Sequence, residues 1–465
     1  MAEQRGLVVS MVGDCLIQHH LSVYDDDRFL KIVNVLRESD VSIGNLECAI
    51  HTGENSPAFV AGGGRGGGLM AAPPFCLEEL QWFGLDAVWA ANNHSADLGE
   101  GGIVTTLDHL DAVGMAHAGT GRNLTEATVP AYVDTPKGRI AIISASDWGP
   151  RGRADLPYPI PFGVIAADQG SMFAGRPGVN LLRYDAVIHV EKATLDALRH
   201  ASTQLGWEHQ KGIRRRGGAR DEPLIGDWLL NGEQDSDAEL HFMGTKFVQD
   251  DVFSFETVPY EQDLERNYKW IREARRQADV VIVGLHQQGA SRDERESTDH
   301  TRIFARGAID AGADVFVAHG RGRIGGVEPY AGKAIIHGLP GFIRQREQIR
   351  HVPQEHLDRW NLPHESTAGE FLEARDEAEA GGSMPPGFQR TAVYTLEFDD
   401  DMRIKEARVY PGEMTKGSRA QSGRPLAAEP GSEMESRVLD SVIRRSAAFG
   451  AAAEVRDGVA VVRVN

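Results

Sequence analysis

The sequence predicts an α/β fold, on two observations. Short apolar, β-rich runs alternate with amphipathic helical stretches through the first third of the chain, and the same rhythm resumes near residue 264 after a long interruption. In the first third, residues 7–12, 41–43, 87–91 and 139–144 read as buried strands. Between them Ile103, Leu107, Leu110 and Val113 recur at spacings of three or four, which sets one apolar helical face toward a core. Beyond Ser144 the pattern dissolves into a Pro- and Gly-rich stretch, 150–178, and then a polar region reaching about Gln262 that holds the basic run 211–220. An insertion is expected there.

Helical spacing returns over 264–278, followed by the apolar run 280–285, a helix over 301–311 and strands over 315–318 and 334–337. Residues 391–398 and 402–410 alternate like a hairpin across 399–401, and a helix over 434–448 and a strand over 459–464 close the chain. The predicted organisation is therefore a first core segment, 1–148, and an insertion forming a substrate pocket or lid, 149–262. A second core segment, 263–345, and a C-terminal extension, 346–465, whose hairpin and helix pack on the core, complete it.

The 465 residues are 41% hydrophobic and 25% charged, ample for a buried core. Sixty-eight acidic against 49 basic residues give a net charge of -19, which repels phosphate backbones and anionic lipid heads. Neither nucleic acid nor membrane is an expected partner. No secretion signal is visible and no apolar run reaches the roughly 18 to 20 residues of a membrane span. Three cysteines, Cys15, Cys48 and Cys76, suit a reducing compartment, so the expected location is cytoplasmic. Oligomerisation is left open.

The chemistry-bearing pattern lies at the strand ends. Asp14, Glu47, Asn93 with His94, His286 and His319 each follow a predicted strand, and in an open α/β sheet ligands gather beyond those carboxyl ends. Any one of them alone reads equally well as a helix cap, a turn former or a locally satisfied histidine. Together, carboxylate, amide and imidazole donors suit a divalent transition metal such as Zn, Mn or Fe. The run AGGGRGGG at 61–68 lacks the ending of a triphosphate loop and reads as a flexible loop near the site. His19 and His20 lack helical metal spacing, though His20 is a candidate for substrate contact. Cys15 and Cys48 read as buried small side chains. Arg214, Arg215 and Arg216 read equally as an anion attractor or a solvated charge run.

These residues also carry a family resemblance, over about 1–147 and 264–345. Gly13-Asp14, Gly44-Asn45-Leu46-Glu47 and Ala91-Asn92-Asn93-His94 with Asp97, Gly99, Gly102 and Thr106 resemble the motifs of the CapA family of polyglutamate capsule biosynthesis proteins. The stretch ARGAIDAGAD before residues 315–319, and Gly326-Val327-Glu328-Pro329-Tyr330-Ala331-Gly332-Lys333, are similar to its later blocks. The resemblance implies a calcineurin-like metallophosphoesterase fold, with two central sheets flanked by helices and a centre of one or two ions. It implies that Asp14 and Glu47 are carboxylate ligands, Glu47 bridging, that Asn93, His286 and His319 complete the better-equipped metal position, and that His94 donates a proton or stabilises the transition state. Asp14 then counts as catalytic alongside His94.

There are departures. Where the family reads His-Trp-Gly followed by Glu, this chain reads His286-Gln287-Gln288-Gly289-Ala290, with Asp293 or Glu294 as candidate replacements. Where the family has further histidines, the chain reads His319-Gly320-Arg321-Gly322-Arg323. A single-ion site, replacement by His337, or no metal at all would follow. Arg321 and Arg323 suit a small anionic substrate. The expected function is a metal-dependent hydrolase of an amide or ester bond in a small carboxylate-bearing or glutamyl-like compound. The alternatives are a phosphoesterase and a non-catalytic accessory of polyglutamate capsule synthesis.

Overall fold

The computed structural model describes residues 6–58, 69–147, 168, 175–215, 235–243, 245–288, 297–345, 349–378, 389–416 and 422–464. The expected loop at 61–68 and the candidate replacements Asp293 and Glu294 lie outside them, as do the side chains of the basic run Arg214 to Arg216.

Two sheets form the centre. In the first, Val8–Leu16, Val41–Leu46, Ala87–Trp89 and Ala116–Ala118 run parallel side by side. The C-terminal strands Arg390–Phe398, Ile404–Met414, Val459–Arg463 and Ala453–Arg456 continue this sheet antiparallel from the other side of Val8–Leu16. The second sheet has Gly138–Ser146, Val280–His286, Val315–His319 and Lys333–Ile336 in parallel, with Ala131–Thr135 and Val327–Tyr330 antiparallel at its edges. Both faces of the central strands are covered, which is why they read as continuous apolar runs without strict alternation.

The period of two is nonetheless visible in what each side chain touches. Val9, Met11, Ile43 and Trp89 of the first sheet meet Ile140, Ile142, Ile282 and Val317 of the second in one buried cluster. The intervening Ala141, Ile143, Val281, Val283 and Leu285 point outward to Ile271, Ala274, Phe304 and Ala308 of the helices Glu261–Gln277 and Asp299–Asp310. On the other outer face, Phe29, Ile32, Leu36, Leu77 and Leu80 of the helices Asp27–Arg37 and Phe75–Phe83 cover the first sheet. Each such side chain contributes about 1.5–3 kcal/mol by leaving water.

The inner layer leaves little slack. A Cβ on Gly284 would stand 2.6 Å from Trp89 Nε1 and 2.7 Å from Cδ1 and Cε2 of the same ring, and Trp89 stacks on His319 with centroids 5.2 Å apart. Gly284→Ala is expected to destabilise the chain by about 3 kcal/mol, the upper range for overpacking a tight core. Urea unfolding measures it, and an unchanged midpoint would mean that the two sheets can part at no cost.

Within the segment read as an insertion, a separate sheet is present. Tyr184–Val190, Thr245–Gln249, Glu239–Phe242 and Ser254–Pro259 pair together, with the helices Lys192–Gln204 and Trp207–Arg215 alongside. Its apolar cluster is small, made of Val190, Leu195, Trp207, Leu240 and Phe242, so its strands gave a weak hydrophobic pattern. Asp263, fully buried, ties this segment to the core through Arg183 Nε and Nη2, both at 2.7 Å, and Arg266 Nη1 at 2.7 Å. Burial alone would raise the Asp263 carboxyl, but the Arg183 bonds and the Arg266 charge outweigh it and hold it below the usual carboxylate value. A depressed folded value means the pair contributes fully above the unfolded value, about pH 4, and is lost as pH falls through the folded one. Asp263→Asn is therefore expected to cost about 3 kcal/mol near neutrality and to flatten the stability profile below about pH 4. Thermal unfolding over a pH series checks both, and a parallel acid slope in variant and parent would contradict it.

No helix among the described residues is long and apolar enough to cross a membrane.

Candidate metal centre

The parallel strands of both sheets deliver their carboxyl ends to one edge of the molecule. His286 and His319 are the last residues of adjacent strands and are direct register partners. From the facing sheet, Asp14 is in register with Asn45, next to a register shift between Met11 and Asp14 of the kind that re-aims a strand end. Glu47 follows the strand Val41–Leu46, and Asn92, Asn93 and His94 follow Ala87–Trp89.

His286, fully buried, is the shared element. Its Nδ1 stands 3.2 Å from His319 Nδ1 and 3.9 Å from Asp14 Oδ1, and the third side, His319 Nδ1 to Asp14 Oδ1, is 3.7 Å. The point equidistant from these three atoms lies about 2.1 Å from each, the length of a zinc bond to histidine nitrogen or carboxylate oxygen. Asp14, His286 and His319 are the group of His, Cys, Asp and Glu side chains among the described residues with ligand atoms all within 4.8 Å of one another. His319 Nε2 is buried with no hydrogen-bond partner in the structure. A mixed nitrogen and oxygen set of three leaves further positions open and suits Zn, Mn or Fe.

The other edge of His286 faces different groups. Its Nε2 is 2.6 Å from Asn93 Oδ1, 3.1 Å from Gln288 Nε2 and 3.6 Å from Glu47 Oε1. The other four candidate ligands thus surround one imidazole, but in two sets. Asp14 and His319 occupy its Nδ1 edge, while Asn93 and Glu47 occupy its Nε2 edge.

Charge in the cluster follows from burial. Desolvation is the largest influence on His286 and, with His319 and His94, pulls it down to about 3 against the opposing pull of Asp14 and Asp147, which leaves a neutral ring with a lone pair to offer. For Asp14, burial raises the carboxyl, yet the His319 bond, the two imidazoles and the Asn45 bond more than offset this and hold it below its ordinary value. Burial likewise pushes the Cys48 thiol up to about 12, and Cys15 is raised too, so neither offers a thiolate near neutrality.

Beside the cluster His94 is nearly buried. Its Nδ1 is 2.8 Å from Asp97 Oδ2, which also accepts the Met70 N–H at 2.9 Å, and its own N–H donates to Asn92 Oδ1 at 3.0 Å.

The remaining expected residues have partners and surroundings of their own. Both nitrogens of His337 are engaged, Nδ1 with Ser297 Oγ at 2.8 Å and Nε2 with Glu328 Oε2 at 2.7 Å, and it is not part of the three-ligand group. His20 is exposed, bonded to Glu79 at 2.7 Å and stacked on Phe75 at 4.0 Å. Arg321, Arg323 and His337 line a cavity of about 440 Å³ together with His319.

Several supporting residues went unassigned in the sequence. Asn45 Nδ2 donates to Asp14 Oδ1 at 2.9 Å and lies 3.3 Å from His286 Nδ1, and Asn92 Nδ2 donates to Leu46 O at 2.7 Å and Asn45 Oδ1 at 3.2 Å. Their place inside the Gly44-to-Glu47 and Ala91-to-His94 motifs was the available signal. Behind the metal edge, Asp147 accepts the Gln288 N–H at 2.7 Å and pairs with His300 Nε2 at 2.9 Å, and His300 stacks on Tyr184 at 3.9 Å. This wholly buried pair fixes the backbone just after His286. No sequence motif marks it.

The sequence model of the bacterial capsule synthesis protein family PGA_cap matches residues 8–161 and 185–346, a span that contains every residue of the cluster. Two proteins of Sinorhizobium fredii (strain NBRC 101917 / NGR234), y4sH and y4uA, both named as uncharacterized, are similar over nearly the whole length. Each is 27% identical over 475 residues, which covers 99% of this chain and 93% of the relative.

Proposed function

We propose that this chain, which belongs to the bacterial capsule synthesis protein family PGA_cap, is a metal-dependent hydrolase of calcineurin-like metallophosphoesterase architecture. It acts on an amide or ester bond of a small carboxylate-bearing, glutamyl-like compound. The observation that carries the reading is the buried triangle of Asp14, His286 and His319, whose sides of 3.2, 3.7 and 3.9 Å match one small divalent cation.

Asp14, His286 and His319 would hold a cation there, and it would supply Lewis-acid chemistry for the substrate oxygen and for water. The chain's own residues do the rest. Asn45 fixes the Asp14 carboxylate and Asn92 fixes Asn45, so the donor atoms are set before any ligand arrives. Asn93 and Glu47, at the second edge of His286, would hold a second ion or orient the substrate. Asp97 keeps one nitrogen of His94 occupied and leaves the other to deliver a proton to the leaving group. A phosphoesterase is the second reading, favoured by the arginines that line the cavity at His319.

Metal analysis of the purified chain, together with hydrolysis of a panel of glutamyl amides, carboxylate esters and phosphoesters, tests the reading. Metal with amide or ester turnover supports it, and phosphoester turnover alone selects the second reading. A chain that holds no transition metal and hydrolyses nothing would point to a non-catalytic part in polyglutamate capsule assembly.

A further inference from the structure

Outside the metal cluster, a hydroxyl and a carboxylate meet on opposite nitrogens of a second imidazole. Ser297 Oγ lies 2.8 Å from His337 Nδ1, and His337 Nε2 lies 2.7 Å from Glu328 Oε2. Ser297 and His337 both line the cavity of about 440 Å³, a volume that admits a small molecule, while Glu328 is buried. The three come from separate parts of the fold. Glu328 belongs to the edge strand Val327–Tyr330, His337 follows the strand Lys333–Ile336, and Ser297 stands two residues before the helix Asp299–Asp310.

Each member is held in place. Glu328 Oε1 accepts from Arg306 Nη2 at 2.8 Å. Burial alone would raise the Glu328 carboxyl, but the His337 bond and the Arg306 pair outweigh it and hold it below its ordinary value, so it meets the ring as an acceptor. Phe449 stacks on His337 with centroids 4.2 Å apart and 12° between the planes, which fixes the ring plane. The backbone is fixed as well: the His337 N–H donates to Gly326 O at 3.0 Å, and a Cβ on Gly325 would stand 2.5 Å from the His337 carbonyl carbon. Only glycine admits that approach. On the serine side, Gln287 Nε2 donates to Thr298 Oγ1 at 3.2 Å, and Thr298 Oγ1 meets Thr301 Oγ1 at 2.8 Å. The residue after Ser297 is thereby tied to the strand that ends at His286.

With Nε2 donating to Glu328, Nδ1 is the nitrogen left to take a proton from Ser297. A hydroxyl against such a nitrogen is how a weakly nucleophilic alcohol is activated, and the roles are defined by geometry, whichever ring nitrogen faces the serine. Ser297 also directly precedes Thr298, the N-cap of a 12-residue helix whose positive end favours negative charge developing at the serine. A histidine that only braced two strand ends has no use for a hydroxyl on a cavity wall.

We propose that Ser297, His337 and Glu328 form a second catalytic centre, a metal-independent serine hydrolase of small carboxylic esters. Ser297 Oγ bonds to the ester carbonyl carbon as its proton passes to His337 Nδ1. The bond to the leaving alkoxy oxygen breaks, and that oxygen takes the proton. Water then adds to the acyl carbon while giving a proton to His337, and Oγ leaves and recovers that proton as the carboxylic acid is released. Ser297 and His337 are the catalytic residues and Glu328 is a positioning residue. None of these steps rests on the metal reading.

Treatment of the full chain with diisopropyl fluorophosphate and with p-nitrophenyl acetate, each with and without EDTA, tests it. One adduct on Ser297, located by peptide mass spectrometry, and a burst of about one p-nitrophenol per chain are expected, both unaffected by EDTA. Ser297→Ala is expected to lose both, and because Ser297 is only partly buried its melting temperature should hold. His337→Gln is expected to slow labelling at least about a hundredfold. Glu328→Gln is expected to slow it at least about tenfold per folded molecule, with Glu328→Asp recovering part, a rescue that a purely structural carboxylate would not give. Four results overturn the proposal: the parent takes no adduct, Ser297→Ala is labelled as the parent is, His337→Gln is labelled at the parental rate while folded, or EDTA abolishes labelling. Failure of the metal reading has a different signature, namely absent metal and no EDTA-sensitive turnover with the Ser297 adduct intact.

Discussion

Replacing His286 with alanine is expected to reduce bound metal from about one ion per chain to less than a tenth of that, and hydrolysis by at least about a thousandfold. The size of the effect follows from where the ring sits. Asp14 and His319 lie at one nitrogen and Asn93 and Glu47 at the other, so no other single side chain belongs to both edges. Its loss also leaves the Asp14 and Glu47 carboxylates facing a cavity with no group between them, which opposes their close approach. His319→Ala removes one donor of the triangle only and is expected to lose less metal than His286→Ala. Because His286 is fully buried, a folding control is needed, and Asp14→Asn provides one: it keeps shape and hydrogen bonding while weakening the donor set. Metal content by elemental analysis, with melting temperature with and without added ion, separates the cases, since a ligand that binds only the folded state raises the melting temperature. Unchanged metal content in His286→Ala would remove this centre from any account of the protein.

How much of this was legible depends on whether the information is local. His286 and His319 each close an apolar strand and Asp14 stands two residues before the end of Val8–Leu16, so their position toward one sheet edge follows from the chain order of strand and helix. Their mutual distances do not, because the register of His286 with His319 is set by packing of the whole sheet. The division of the strand-end residues between two edges of one imidazole is a matter of ring orientation, on which sequence is silent. His337 shows the same gap in reverse: as a histidine at a strand end it had the form of a ligand, and the structure gives its nitrogens to Ser297 and Glu328. The Asp147–His300 pair spans 153 positions with no motif at either end. At the C-terminus the hairpin and helix were readable from alternation and periodicity. That Arg390–Phe398 pairs with Val8–Leu16, and that Arg444 and Arg445 arrive opposite Arg323, required the fold.

His94→Gln is expected to lower kcat by about 10² to 10⁴ while metal content stays at the parental level, the range typical of losing a positioned acid or base. The tether to Asp97 is the reason to expect a proton role. Asp97 Oδ2, which also holds the Met70 N–H, accepts from His94 Nδ1 at 2.8 Å, so the other ring nitrogen is the one left to pass a proton. Gln retains a donor and similar reach but cannot shuttle that proton, so kcat is expected to fall with KM little changed. Asp97→Asn should act through the same ring: it can no longer enforce the tautomer, and a smaller loss of kcat is expected. A structural role for the pair predicts something else, a fall in melting temperature with kcat per folded molecule intact. If His94→Gln kept its rate while Asp97→Asn only lowered the melting temperature, the pair would be a brace for the loop after Trp89, and the proton would have to come from elsewhere.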